Sequence, residues 1–256
     1  MKLNYKKYNY KLNLMIVTLA VCISIIYNYS GRSRLLNVFR NNSRELPIYC
    51  VDTAEKKIAI SFDAAWGADY TEDLLGILKK YNVKTTFFLV GFWVDKYPEM
   101  VRKIDEEGHE IGNHSSKHPH MSQLSKEQIE EELSQTSDKI EAITNKKVTL
   151  FRPPFGDYNN KLVITAREMG IQVIQWDVDS LDYKDYGKDA IVKRVLSKVK
   201  NGSIVLFHNN ATYTKDALTV VLENLQNEGY KIVPVSELIY KGNYYIDHTG
   251  MQKLLR

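Results

Sequence analysis

His114-Ser-Ser-Lys-His118 carries two imidazoles four residues apart, a spacing from which a turn or a short helix brings both to one divalent cation. By itself such a pair is a weak signal, and its weight depends on which other groups reach the same place. Asp63, in Ser61-Phe-Asp-Ala-Ala-Trp-Gly67, follows an apolar run. It either caps the next helix or acts as a general base toward a water that a cation supplies. Arg152 is followed by Pro153 and Pro154, which stiffen the loop, and it either pairs with Asp63 to keep it ionised or belongs to a structural ion pair. His208, in Leu206-Phe-His208, suits protonation of a leaving amine if a carboxylate such as Asp182 raises its pKa.

These residues share one position in a repeat. Apolar, β-branched runs predict strands over 58–62, 85–90, 110–112, 148–151, 172–176, 203–207 and 232–233. Amphipathic stretches predict helices over 71–81, 98–107, 126–143, 161–169, 189–200 and 215–228. Ser125 and Gln128 form a capping box for the third of these. Strand and helix in alternation imply a mostly parallel sheet with helices outside, an α/β fold. About seven such units suit a closed or nearly closed, distorted (β/α) barrel, with an open doubly wound sheet as the alternative. No GxGxxG follows the first strand, which weakens a dinucleotide fold. Asp63, Asn113, His114, Arg152, Asp177, Asp179 and His208 all follow strands, so a barrel gathers them at its C-terminal mouth. His109 begins a strand and is expected to be structural.

The 256 residues carry 35 Lys plus Arg against 31 Asp plus Glu, a net charge of +4. Lys2, Lys6, Lys7 and Lys11 account for that excess, since residues 1–11 hold no acid and the rest of the chain balances. A nucleic-acid surface is therefore not expected. Behind those lysines, residues 12–29 are mostly apolar over about one bilayer width. They are expected to be an uncleaved, single-pass signal anchor with its N-terminus in the cytoplasm and the domain outside. The expected organisation is a basic segment (1–11), the anchor (12–29), a linker (30–55), the domain (56–240) and a polar tail (241–256). With only Cys22 and Cys50, no disulfide is expected in the domain, nor is an oligomer.

Taken together, the motifs resemble the polysaccharide deacetylases of carbohydrate esterase family 4, the NodB-homology domain, from about Lys57 to Tyr240. Ser61-Phe-Asp-Ala64 resembles TFDD, and His114 to His118 the H-S/T-x-x-H motif. Arg152-Pro-Pro-Phe-Gly156 resembles RPPY, Asp179-Ser-Leu-Asp-Tyr183 resembles DxxDW, and Leu206-Phe-His208 resembles LxH. The FDAAWG stretch and the anchor look most like the PdaB-type sporulation branch. The resemblance implies hydrolytic N-deacetylation of amino sugars in a cell-wall polysaccharide. His114 and His118 would hold a divalent cation, usually zinc, with cobalt also used. Asp63 would be the base with Arg152 beside it, and His208, oriented by Asp182, the acid. The metal and the backbone N–H of Phe155 would stabilise the oxyanion, and Tyr183 and Leu206 would line the pocket. Trp66 would pack under its loop or stack on a sugar.

One departure matters. The family's second acid, the carboxylate metal ligand, is Ala64 here, which leaves two imidazoles. Asp69, His120 or water would complete the shell, or Asp63 would turn to the metal, or the domain would bind glycan without hydrolysing it.

Overall fold

The computed structural model describes residues 13–22, 24–25 and 44–255. Residues 13–22 and 24–25 are helical, and among the described residues no helix is long and apolar enough to cross a membrane. The basic segment 1–11 lies outside the described residues, as do positions 12, 23 and 26–29 of the expected anchor.

Residues 45–256 form one compact unit. Its strands are β1 (Cys50–Val51), β2 (Lys57–Ala64), β3 (Thr86–Leu89), β4 (Glu110–Asn113), β5 (Leu150–Phe151), β6 (Gln172–Val173), β7 (Val178–Asp179), β8 (Ile204–His208) and β9 (Lys231–Val233), followed by β10 (Tyr244–Ile246) and β11 (Met251–Leu254). The main helices are α1 (Thr71–Lys80), α2 (Gly91–Lys96), α3 (Pro98–Glu106), α4 (Lys126–Thr144), α5 (Asn160–Glu168), α6 (Lys188–Leu196), α7 (Thr214–Asn227) and α8 (Val235–Leu238). The expected capping box at Ser125 and Gln128 starts α4. The sheet runs β6-β5-β4-β3-β2-β8-β7, with β9 also on β2, and every pairing in it is parallel.

This is a half-barrel rather than a closed one. The expected strand over 172–176 ends early at Val173, a new strand starts only at Val178, and residues 174–177 alone join β6 to β7. That link is too short for the crossover that parallel neighbours need. The gap is filled by chain expected to be linker. Ile48 bridges to Ile174, Cys50 bridges to Ser203, and the Val51 N–H donates to the Gly202 carbonyl at 2.9 Å. Gly202 (φ +79°) is required there, because a Cβ would lie 1.7 Å from the Val51 oxygen. The expected polar tail also differs: β10 and β11 pair with each other, and β11 pairs with β1.

Strand alternation sorts β2 into two faces. Ile58, Ile60, Phe62 and Ala64 join the apolar layer under the helices, while Ala59 joins the inner cluster with Phe88, Leu150 and Ile204. Asp63 therefore ends the inward row at the mouth, and the Ala64 methyl is buried in the helix-facing core.

Candidate active site

The strand ends bring together side chains far apart in sequence. Asp63 and His208 are register partners across β2 and β8, and Asn113 and Phe151 are partners across β4 and β5, each just before a site residue. Asp63 Oδ1 accepts a hydrogen bond from Arg152 Nη1 at 2.8 Å. Arg152 is wholly buried, donates from Nη2 to the Gln175 carbonyl at 3.2 Å, and lies 4.2 Å over the Phe88 ring. Burial pushes the Asp63 carboxyl upward, but the charge and hydrogen bond of the Arg152 guanidinium outweigh this and hold it below the usual range. Asp63 is thus an anion, and Arg152 sits beneath it, sealed from the cleft.

His114 Nδ1 lies 2.7 Å from the Arg152 carbonyl oxygen. A carbonyl only accepts, so Nδ1 carries the proton and Nε2 presents a lone pair. That lone pair faces Asp63 Oδ2 at 3.6 Å. Burial lowers the pKa of His114, and lowers that of His118 to about 4, so both rings are neutral. The two rings meet edge to face with centroids 5.0 Å apart. Neutral imidazoles and a lone pair aimed at a carboxylate fit a divalent cation held by His114 and His118, with its remaining positions open to water. Among the described residues, neither His120 nor Asp69 completes the set. His120 stacks on Phe155 and lies 3.6 Å from Asp157, and Asp69 is exposed with its backbone N–H on Asn210. Among the described residues no three His, Cys, Asp or Glu side chains group to hold a metal.

The loop carrying the imidazoles is pinned from below. Asn113 Oδ1 accepts from the Ser115 N–H, and Asn113 Nδ2 donates to the Leu133 carbonyl and to Ser137. Glu132 on α4, absent from the expected set, accepts from the Ser116 and Lys117 N–H groups at 2.8 and 2.9 Å. Ser115 and His118 both have positive φ, strain that these bonds hold in place. The only sequence signal for Glu132 is an acid on the otherwise apolar Ile129/Leu133 face of a helix.

On the other wall, His208 Nδ1 lies 2.7 Å from Asp182 Oδ1. Burial disfavours the imidazolium, yet the hydrogen bond and charge of Asp182, with Asp63 and Asp179, raise the pKa of His208 above its ordinary value. Asp182 is fully buried and orients the imidazole. Asp177, expected at the mouth, is not there. Its carboxylate accepts from Ser203 and the Ile204 N–H at the start of β8, because the second strand begins only at Val178.

Between the walls lies a cleft of about 640 Å³ lined by Asp63, His114, His118 and His208, with Leu206 and Tyr183 on one side and Phe155 and Trp66 on the other. Tyr183 sets its ring edge on His208, with centroids 5.1 Å apart. Phe155 has φ +59° and is exposed. Trp66 does not pack under its loop. It is 63% exposed, with its ring edge to face with His118 at 4.8 Å. The loop itself is fixed, since the Gly67 carbonyl accepts from Trp93 Nε1 and Asn209 Nδ2.

Residues 51–174 match the polysaccharide deacetylase family. A peptidoglycan-N-acetylglucosamine deacetylase of Bacillus cereus is 38% identical over 74% of this chain and 91% of its own length. The peptidoglycan-N-acetylmuramic acid deacetylase PdaC of Bacillus subtilis is 38% identical over 73% of this chain, which spans only 40% of PdaC. The structure of a wild-type CE4-family pseudoenzyme of Bacillus anthracis superposes with a TM-score of 0.73 at 38% identity, covering 75% of this chain and 68% of that one. A mutant of that pseudoenzyme is described as having restored enzymatic activity. With the half-barrel and its paired walls, this likeness shows that the chain belongs to the polysaccharide deacetylase family.

Proposed function

We propose that the chain is a membrane-anchored, metal-dependent N-deacetylase that hydrolyses acetamido groups of peptidoglycan or a related cell-wall glycan. The observation that carries this reading is the opposition of two charge-tuned pairs, Asp63–Arg152 and His208–Asp182, across one cleft. The names of the B. cereus and B. subtilis relatives support the substrate class. The four lysines ahead of the apolar residues 12–29 support the anchor and a domain outside the cell membrane.

A divalent cation, with zinc the first choice and cobalt the second, would be held by His114 and His118 and would polarise the acetamide carbonyl as a Lewis acid. The protein's own groups do the rest. Asp63, ionised and fixed by Arg152, accepts a proton from the attacking water at Oδ2. The imidazolium of His208, with Nδ1 on Asp182, donates from Nε2 to the departing nitrogen. Leu206 and Tyr183 flank the acetyl group, while Trp66 and Phe155 offer aromatic faces to sugar rings. The missing carboxylate ligand at Ala64 weakens metal binding and so lowers activity at limiting metal.

A second reading, a glycan-binding protein of wall or spore assembly without hydrolysis, is favoured by Ala64 and by the likeness to a pseudoenzyme. Acetate release from N-acetylglucosamine oligomers by the full-length chain, measured with zinc or cobalt and abolished in Asp63→Asn, tests the first reading. Oligomer binding without acetate release supports the second.

A further inference from the structure

The Asp182 carboxylate is shared more widely than an acid–base pair requires. Oδ1 receives the His208 Nδ1 proton at 2.7 Å and the Tyr183 N–H at 3.0 Å. Oδ2 receives the His208 backbone N–H at 2.7 Å and the Thr214 hydroxyl at 2.6 Å. Both backbone groups can only donate, so both oxygens accept and the Thr214 hydroxyl is the donor. Thr214 is the first residue of α7, lies 32 positions from Asp182, and is fully buried. It has no place in any motif of the site.

We propose that Thr214 is a positioning residue that draws part of the Asp182 carboxylate away from His208, so that the acid gives up its proton more readily. This rests on the reading of His208 as proton donor. The direction follows from electrostatics. When His208 is protonated, its charge compensates the neighbouring anion. When His208 is neutral, the buried anion stands alone and depends more on its remaining donors. Removing the hydroxyl therefore penalises the neutral-imidazole state more and tightens the proton on His208. Other groups also face His208: Asp63 on β2, Asp179 on β7, the Tyr183 ring, and the imidazoles of His114 and His118 across the cleft. The two carboxylates both favour the imidazolium.

The test is an NMR titration of the full-length chain labelled at histidine nitrogens, with the His208 signal assigned by its loss in His208→Gln. Thr214→Val is expected to move the His208 midpoint up by roughly half a pH unit, and Thr214→Ser to leave it where it was. Thr214→Ala is the second variant without a hydroxyl and is read the same way, should the valine disturb folding. An unchanged or lowered midpoint in either folded variant overturns the proposal. The readout needs no turnover, so it stands apart from whether the chain releases acetate. Where acetate is released, the alkaline limb of its pH profile moves with the midpoint.

Discussion

Arg152 Nη1 and Asp63 Oδ1 lie 2.8 Å apart, with the guanidinium wholly buried and the carboxylate nearly so. Neither charge has much water, so each depends on the other. Replacing Arg152 by methionine fills much of the space but leaves an uncompensated anion, and the expected loss is about 3–5 kcal/mol of unfolding free energy at pH 7. Denaturant melts of Arg152→Met and of the double variant with Asp63→Asn check this. The double variant is expected to recover most of the loss.

Ala64→Asp introduces the carboxylate that the motif resemblance implies at that position. The native methyl lies in the apolar layer under the helices, so an added charge has opposite effects with and without metal. The metal-free variant is expected to be less stable by about 3–5 kcal/mol, the cost of a buried charge without a partner. Zinc is expected to draw the new carboxylate out of that layer toward His114 and His118, so that zinc affinity rises roughly tenfold or more as a third protein ligand joins two imidazoles. Calorimetric zinc titration and paired thermal melts read both effects.

Trp66→Ala removes an exposed ring on a loop fixed by Trp93 and Asn209. Stability is expected to change by no more than about 0.5 kcal/mol. Binding of N-acetylglucosamine oligomers is expected to weaken by about 0.5–1.5 kcal/mol, the range for an aromatic face in contact. Calorimetry with oligomers of increasing length measures it, and an unchanged affinity would remove Trp66 from the binding surface.

His109 lies outside the cleft and governs a pH effect on stability. Its Nδ1 accepts the Thr85 N–H at 3.2 Å, and burial lowers its pKa from 6.5 to about 4. The folded state therefore keeps His109 neutral where the unfolded chain protonates it. The stability it supports is whole above pH 6.5 and is lost as pH falls toward 4, by an amount on the order of 3 kcal/mol. His109→Asn, which keeps an acceptor, is expected to flatten the decline in unfolding free energy over that interval.

Much of the site was legible in the sequence because its residues sit just after strands, and the period-2 and period-3.6 patterns locate strand ends well. Asp63, His114, Arg152 and His208 converge as expected, and Asp182 meets His208. The misreadings have local causes. The run 172–176 is apolar enough for one strand, but β6 stops at Val173 and a link of four residues leads to β7 at Val178, which carries Asp177 to the wrong end. Polarity made residues 241–256 look like a tail, although two short strands need only the edge that β1 offers. Glu132 and Thr214 act by hydrogen bonds across 16 and 32 positions, which no local pattern records.

Mass spectrometry of peptidoglycan fragments incubated with the zinc-loaded full-length chain tests the central claim most directly. The account predicts amino sugars that have lost an acetyl group with wild-type protein, a yield lower by roughly 10²–10⁴ in His208→Gln, and fragments that still bind that variant. Fully acetylated fragments after incubation with wild-type protein that binds both zinc and glycan would contradict it.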